Sequence, residues 1–123
     1  MDPRHQKRIT IVQNLFASSF PHGEEDNLLH EMDDMTKNIL QSTPKIDSLI
    51  AEYAPKFPID RISKTDLAVL RLAVYELIIT PKEPEKVIIN EAVELAKELG
   101  GEKSYAFVNA VLGTILKEKN KNN

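Results

Sequence analysis

The most apolar continuous stretch of the chain is Ser63–Leu77, which reads SKTDLAVLRLAVYEL. Its apolar positions recur every three or four residues, the period of one helical face, and further apolar neighbours leave little polar surface. Ser63 and Asp66 have the spacing of a capping box at a helix start. We therefore predict a central helix from Ser63 to about Ile79, with the rest of the chain packed around it. The main stripe consists of Leu67, Leu70, Val74 and Leu77.

The same periodicity predicts five further helices, separated by proline or glycine signals. The second is expected to begin at Glu24–Asp26, and the third at Thr43 as cap with Pro44 in the first turn. No segment alternates with period two over the length of a strand, so we predict an all-α protein with six helices, short loops and a frayed polar tail. The predicted breaks are Pro21-His22-Gly23, Ser42-Thr43-Pro44, Pro55 with Pro58, Thr80-Pro81 and Gly100-Gly101.

The composition is typical of one globular domain, since the 123 residues are 41% hydrophobic and 28% charged. The absence of cysteine excludes disulfides, thiolate metal sites and cysteine nucleophiles. No signal peptide and no membrane-spanning apolar run is recognisable, which favours a cytoplasmic location. The net charge of −3 means that a nucleic-acid site requires positive charge concentrated in one place.

The sequence lacks the signals of an enzyme. Its four glycines are too scattered to form a phosphate-binding loop or a dinucleotide fingerprint. His5, His22 and His30 share no helical face, so we interpret them as solvent-exposed polar residues rather than metal ligands. Acidic residues at 31, 33 and 34 are interpreted as a solvated helix face. We therefore predict no catalysis, no cofactor and no metal.

A small basic cluster lies at the start of the first predicted helix. Arg4, Lys7 and Arg8 are three and four residues apart, so they are expected to project from one side of it. Gln13 is a candidate to extend that surface with an amide able to read a base edge. The alternative interpretation is a solvated terminus with scattered charge, because basic N-termini are common.

Polar and aromatic residues in the C-terminal half are interpreted mainly as structural. The polar group is expected to hydrogen-bond at helix crossings, and the aromatic group to pack in the core. The polar residues are Glu76, Asn90, Glu91 and Asn109, and the aromatic residues are Tyr75, Tyr105 and Phe107.

Three segments of the chain resemble the transcription antitermination factor NusB family. They are LAVLRLAVYEL (67–77), KVIINEAVELAKELG (86–100) and SYAFVNAVLGTILKE (104–118), and they occur in the family's order and at its spacing. The resemblance is close over residues 59–118 and looser over the first helix, RHQKRITIVQNLFA. Residues 21–55 match only by helical pattern and look shorter than in typical members.

The resemblance implies an all-α fold of two small, roughly three-helix bundles set perpendicular to each other. Residues 1–55 would form the N-terminal subdomain, 56–119 the C-terminal subdomain and 120–123 a frayed tail. It also implies binding of single-stranded boxA RNA in ribosomal RNA leader transcripts, together with the small-subunit ribosomal protein NusE. The pair would then load onto elongating RNA polymerase, without cofactor or reaction. Some members of the family self-associate, so a homodimer is a further expectation.

The family's functional residues transfer to particular positions here. An arginine-rich helix start that contacts RNA corresponds to Arg4 and Arg8, with Lys7 as an addition, although His5 and Gln6 replace residues that are often basic. The resemblance further implies RNA contact by Lys103 and base stacking by Phe107. It implies contact with the protein partner by Phe16 and Asp66.

Two other interpretations stay open at this point. The sparse basic cluster also fits a helical adaptor that binds proteins and has no RNA affinity of its own. A third interpretation is the NusB-like N-terminal domain of an RNA cytosine methyltransferase. It is disfavoured because the sequence ends at Asn123 in a polar tail, without a catalytic domain.

Overall fold

The computed structural model describes residues 2–21 and 30–121, and within them the protein is all-α. A short 3₁₀ turn precedes α3, and a π turn continues it from Tyr75 to Ile79. The described residues contain no strand, which confirms the predicted fold class, and no helix long and apolar enough to cross a membrane. The helices are α1 (Pro3–Ser18), α2 (Asp34–Tyr53), α3 (Lys64–Val74), α4 (Glu85–Gly100) and α5 (Glu102–Lys121).

The predicted central helix is confirmed as α3, which packs against α1, α2, α4 and α5. It begins as expected, because the Ser63 hydroxyl accepts a hydrogen bond from the Asp66 backbone N–H at 3.2 Å. Its predicted extension to Ile79 is the π turn, where the Thr80 N–H donates to the Tyr75 carbonyl at 2.9 Å. The turn places Tyr75 and Glu76 beside the N-terminal half of α1.

The predicted break at Ser42-Thr43-Pro44 is wrong, because α2 continues through Pro44 as a single helix. Ile39, Ile46 and Ile50 are fully buried and keep one helical face on both sides of the proline. Burial of this face outweighs the local signal, although Pro44 has no N–H to donate within the helix. The structure therefore has five α-helices in its described part rather than six.

The remaining helix ends agree with the sequence signals at two places. Asp2 caps α1, and Gly101 follows α4 with a φ of 103°, which glycine adopts without strain. The expected helix start at Glu24–Asp26 lies outside the described residues, and α2 begins at Asp34. The last helix, α5, runs to Lys121, and Lys119 Nζ in its last turn lies 2.9 Å from Glu85 Oε2. The frayed tail at residues 120–123 stays a prediction.

A single hydrophobic cluster contains buried residues from all five helices. It includes Ile11 of α1, Ile39 of α2, Leu70 of α3, Ile88 of α4 and Ile115 of α5. The division of the chain into subdomains near Pro55–Pro58 stays a prediction.

Candidate nucleic-acid interface

A cleft of about 510 Å³ lies beside the N-terminal half of α1. The start of α2, the π turn and the loop before α4 form its other walls. Charged side chains of both signs line it within the described part of the chain. The cations are Arg4, Lys7, Arg8 and Lys82, and the carboxylates are Asp34, Glu76 and Glu83.

The predicted placement of Arg4, Lys7 and Arg8 on one side of α1 is confirmed, since all three line this cleft. Their environments nevertheless differ. Arg8 is buried, with 7% of its surface exposed, whereas Arg4 and Lys7 are exposed. The three residues therefore offer very different numbers of free hydrogen-bond donors to a ligand.

Arg8 is held by carboxylates on both sides. Its Nε donates to Glu76 Oε2 at 3.0 Å, one terminal nitrogen donates to Glu76 Oε1 at 2.9 Å, and the same nitrogen donates to Glu83. This paired geometry is the strong, planar form of an arginine–carboxylate interaction. The hydrogen bonds to Glu76 raise the pKa of Arg8 further above its usual range. Arg8 is thus a fixed, buried cation that joins α1 to the π turn.

Glu83 also pairs with Arg4, whose terminal nitrogen lies 2.9 Å from Glu83 Oε1. One carboxylate therefore bridges both arginines of α1. Lys7 and Lys82 are exposed in the same cleft and have no ion pair among the described residues. These lysines are the cations available to an incoming anion.

Sequence reasoning missed Lys82 and Glu83, which lie in the short loop between Pro81 and Pro84. The charged pair in this loop was the only available signal. Periodicity carries no information about a loop, and nothing local indicates that Glu83 faces residues on the first helix.

Gln13 is separated from the cleft. It lies about two and a half helical turns from Arg4, which puts it on the opposite face of α1. Its side-chain oxygen contacts His30 Nε2. A base-reading role for Gln13 stays a prediction and would require an RNA path away from the cleft.

Lys103 and Phe107 lie on α5 and do not line the cleft. Lys103 is exposed and unpaired within the described residues. Phe107 is half-buried against the core, with its ring edge-to-face on Phe57 at a centroid distance of 5.6 Å. The predicted RNA-contacting residues are therefore divided between the cleft, the opposite face of α1 and α5.

The residues predicted to contact a protein partner lie near the junction of α1 and α3. The ring of Phe16 is edge-to-face with that of Phe20 at 5.1 Å, and Phe20 is 41% exposed. Lys64 at the start of α3 covers Phe20, with Nζ 5.1 Å from the ring centroid. Asp66, in the same helical turn as Lys64, is buried, and its Oδ1 has no hydrogen-bond partner in the part of the chain that the structure describes.

The structural interpretation of the C-terminal polar residues is confirmed for two of them. Glu76 binds Arg8, and Glu91 lies 2.9 Å from His5 Nδ1, both at helix crossings. It is wrong for Asn90 and Asn109, which are exposed because they fall on the outer faces of α4 and α5. Among the aromatic residues, Tyr75 is buried in the core as predicted. Tyr105 and Phe107 are half-buried and pack against the hydrophobic core.

His5 is not the solvent-exposed residue that the sequence suggested. It is half-buried, with Nδ1 2.9 Å from Glu91 and Nε2 2.7 Å from Glu98. These hydrogen bonds raise the pKa of His5 above its usual value. His30 is exposed as predicted, and His22 lies outside the described residues. The described side chains include no group of three or more arranged to hold a metal ion.

Comparison with known sequences gives one consistent family. A model described as NusB family matches residues 5–117. A transcription antitermination protein NusB from Chloroflexus aggregans is 37% identical, with the match covering 92% of this chain and 86% of the relative. A second, from Acetivibrio thermocellus, is 44% identical over 70% of this chain and 59% of its own length.

Solved structures give the same result. T. maritima NusB superposes with a TM-score of 0.79 at 35% identity, covering 95% of this chain and 92% of that one. A second similar structure is a complex of the antitermination factors NusB and NusE with double-stranded RNA. It has a TM-score of 0.69 and 25% identity, and covers 94% of this chain and 98% of that one.

Proposed function

The chain belongs to the NusB family, and on this basis we propose that it is an RNA-binding transcription antitermination factor. It binds boxA RNA of ribosomal RNA leader transcripts together with NusE, and the assembly loads onto elongating RNA polymerase in the cytoplasm. Its role is binding rather than catalysis. The observation that supports RNA binding best is the clustering of Arg4, Lys7, Arg8 and Lys82 in one cleft of a chain with a net charge of −3.

The RNA follows the cleft along the N-terminal half of α1. Lys7 and Lys82 supply charge for phosphate groups, as does Arg4, while Arg8 mainly fixes α1 against the π turn. Contacts to phosphates position an RNA chain without reading its sequence. Three such contacts give a salt slope of only about −2 on a log–log scale, which implies modest affinity without a protein partner.

Recognition of unpaired bases requires a second element, because single strands are read by stacking and by contacts to base edges. Lys103 and Phe107 on α5 supply a cation and an aromatic ring for this purpose. Phe107 is half-buried, so it offers one part of its ring rather than a whole face. Gln13 adds an amide only if the RNA also reaches the opposite face of α1.

NusE binds at the junction of α1 and α3. Phe16 and the exposed Phe20 provide an apolar contact, and Asp66 provides a buried carboxylate oxygen that has no hydrogen-bond partner among the described residues. A buried acceptor of this kind is unfavourable until a donor reaches it. A donor from the partner would therefore make this surface specific.

The test is fluorescence anisotropy with three labelled RNAs: a boxA-like single strand, its scrambled control and a duplex. Each is titrated at two salt concentrations, with and without NusE. We expect the boxA-like strand to bind most tightly and NusE to strengthen that preference. Lys7→Gln should weaken binding by about threefold to fivefold, whereas Lys45→Gln, an exposed lysine outside the cleft, should not change it.

The main competing function is a protein adaptor without RNA affinity, which the pairing of both arginines with Glu83 favours. NusE binding without any RNA binding would establish it and overturn the RNA-binding proposal. Asp66→Ala should weaken NusE binding in either case. Sedimentation of the same samples tests for the expected homodimer.

A further inference from the structure

The carboxylate of Glu83 sits between two guanidinium groups. Its Oε1 lies 2.9 Å from a terminal nitrogen of Arg4, and its Oε2 accepts a hydrogen bond from Arg8. Each oxygen of one anion therefore accepts from a different arginine. Two guanidinium groups that converge on adjacent oxygens of one anion also suit a phosphate group.

The two carboxylates around Arg8 are not equivalent. Glu76 binds Arg8 through two hydrogen bonds and is 14% exposed, so it keeps this guanidinium in place. Glu83 is 23% exposed and lies in the loop before α4, outside any helix. Rotation of the Glu83 side chain is enough to release Arg4 and one N–H of Arg8, while Glu76 keeps its two hydrogen bonds to Arg8 and still positions it.

We propose that Glu83 occupies the place of an RNA phosphate in the free protein, and that a phosphate of the bound RNA replaces it between Arg4 and Arg8. The inference rests on the proposed function and identifies the residue that sets RNA affinity at this site. Lys7 and Lys82 line the same cleft and hold the incoming strand while the carboxylate leaves. Because RNA must displace Glu83, the protein binds RNA more weakly than it would if Glu83 did not pair with Arg4 and Arg8.

The test compares Glu83→Gln with wild type in anisotropy titrations of the boxA-like single strand. Glutamine keeps the size of the side chain and removes the competing charge. We expect RNA to bind about fivefold more tightly, the factor that corresponds to loss of one favourable ion pair. Glu85→Gln is the matched control. It removes the same charge only two residues from Glu83, but the Glu85 carboxylate pairs with Lys119 and does not line the cleft.

A second comparison separates replacement at the arginines from a general charge effect. In an Arg4→Gln background, Glu83→Gln should gain less than half as much affinity, because one of the two released donors is gone. Thermal unfolding of each variant checks that the fold is retained, and Glu83→Ala replaces Glu83→Gln if it is not.

Three results would overturn this inference while RNA binding itself is retained. If the wild-type protein binds the boxA-like strand and Glu83→Gln does not bind it more tightly, this inference is overturned and the proposed function stays in place. An equal gain in Glu85→Gln, or a full gain in the Arg4→Gln background, also overturns it. If no form binds RNA with or without NusE, the proposed function fails and this inference fails with it.

Discussion

Lys7 and Arg8 are neighbours in sequence with opposite environments. Lys7 is exposed and unpaired among the described residues, whereas Arg8 is buried between Glu76 and Glu83. The sequence shows two cations of equal charge, but the fold gives one to solvent and the other to the joint between α1 and the π turn. Although they carry the same charge, Arg8 should therefore contribute much more to the stability of the fold than Lys7.

Arg8→Gln should lower the free energy of unfolding by about 2 to 3 kcal/mol, because it leaves Glu76 as a partly buried carboxylate without its partner. Lys7→Gln should change it by less than about 0.5 kcal/mol, as expected for an exposed side chain. Urea unfolding followed by circular dichroism measures both. Equal effects of the two substitutions would show that the Arg8–Glu76 pair does not hold α1 in place.

His5 gives the protein a pH-dependent contact at the same end of α1. Both ring nitrogens lie within hydrogen-bond distance of carboxylate oxygens, so the ring must be protonated to donate to both. Asp2, Glu94 and Lys97 also line the depression around it, which leaves the local charge negative. Hydrogen bonds to Glu91 and Glu98 raise the pKa of His5 above the 6.5 expected for the unfolded chain.

A raised folded-state pKa means that the stabilisation is complete below the unfolded pKa and is lost as pH rises through the folded pKa. His5→Gln should therefore lower the free energy of unfolding by about 1 kcal/mol near pH 5.5 and by much less near pH 9. Urea unfolding at both pH values measures the difference. Glu94→Gln, which changes charge in the same depression without removing an acceptor from His5, should keep the pH-dependent contribution of the histidine. A constant cost of His5→Gln across this range would contradict the ionic contact.

At the scale of elements, the sequence was most informative where a local signal and burial agree. The apolar stripe and the Ser63 cap identify α3 because both act within one segment. At Pro44 the local signal and burial disagree. The burial of Ile39, Ile46 and Ile50 keeps α2 continuous through the proline, and this burial becomes evident only from the packed structure.

In the candidate site, likewise, the sequence predicted what depends on one segment and not what depends on tertiary contacts. Helical spacing placed Arg4, Lys7 and Arg8 on one side of α1. It could not reveal that Glu76 and Glu83, far along the chain, neutralise two of them, because those pairs depend on the tertiary fold.

The proline within α2 should lower the stability of that helix. Pro44→Ala restores an N–H that can bond within the helix and removes the steric conflict with the preceding turn, and position 44 is exposed. We expect the free energy of unfolding to rise by about 1 to 3 kcal/mol, less any gain in unfolded-state entropy. Lys45→Ala, at the next exposed position, should change it by less than about 0.5 kcal/mol. A lower stability of Pro44→Ala in urea unfolding would mean that the proline fits a local distortion of α2.

At the scale of the whole molecule, the important feature is that the core is shared. Residues buried in α1 and α2 belong to the same cluster as those of α4 and α5, and α3 contacts all four. The predicted subdomain boundary near Pro55–Pro58 lies between α2 and α3, so all contacts of α3 with α1 and α2 cross it. An N-terminal unit without α3 would lose the packing of that helix against α1 and α2, whose buried residues include Ile11, Ile39 and Ile50.

We therefore expect the described helices to unfold as one cooperative unit, whatever the architectural division. Each buried isoleucine loses about 2 kcal/mol of burial free energy when its neighbours leave, so a separated N-terminal part cannot retain its helices. Native-state hydrogen exchange measures this directly, through the amides of Ile50 in α2 and Ile115 in α5. Their opening free energies should agree within about 1 kcal/mol and fall together as urea is added. A markedly lower value for Ile50, with a shallower urea dependence, would instead show that α1 and α2 open independently. In that case the Arg8–Glu76 joint and the cleft beside it would come apart before the rest of the protein unfolds.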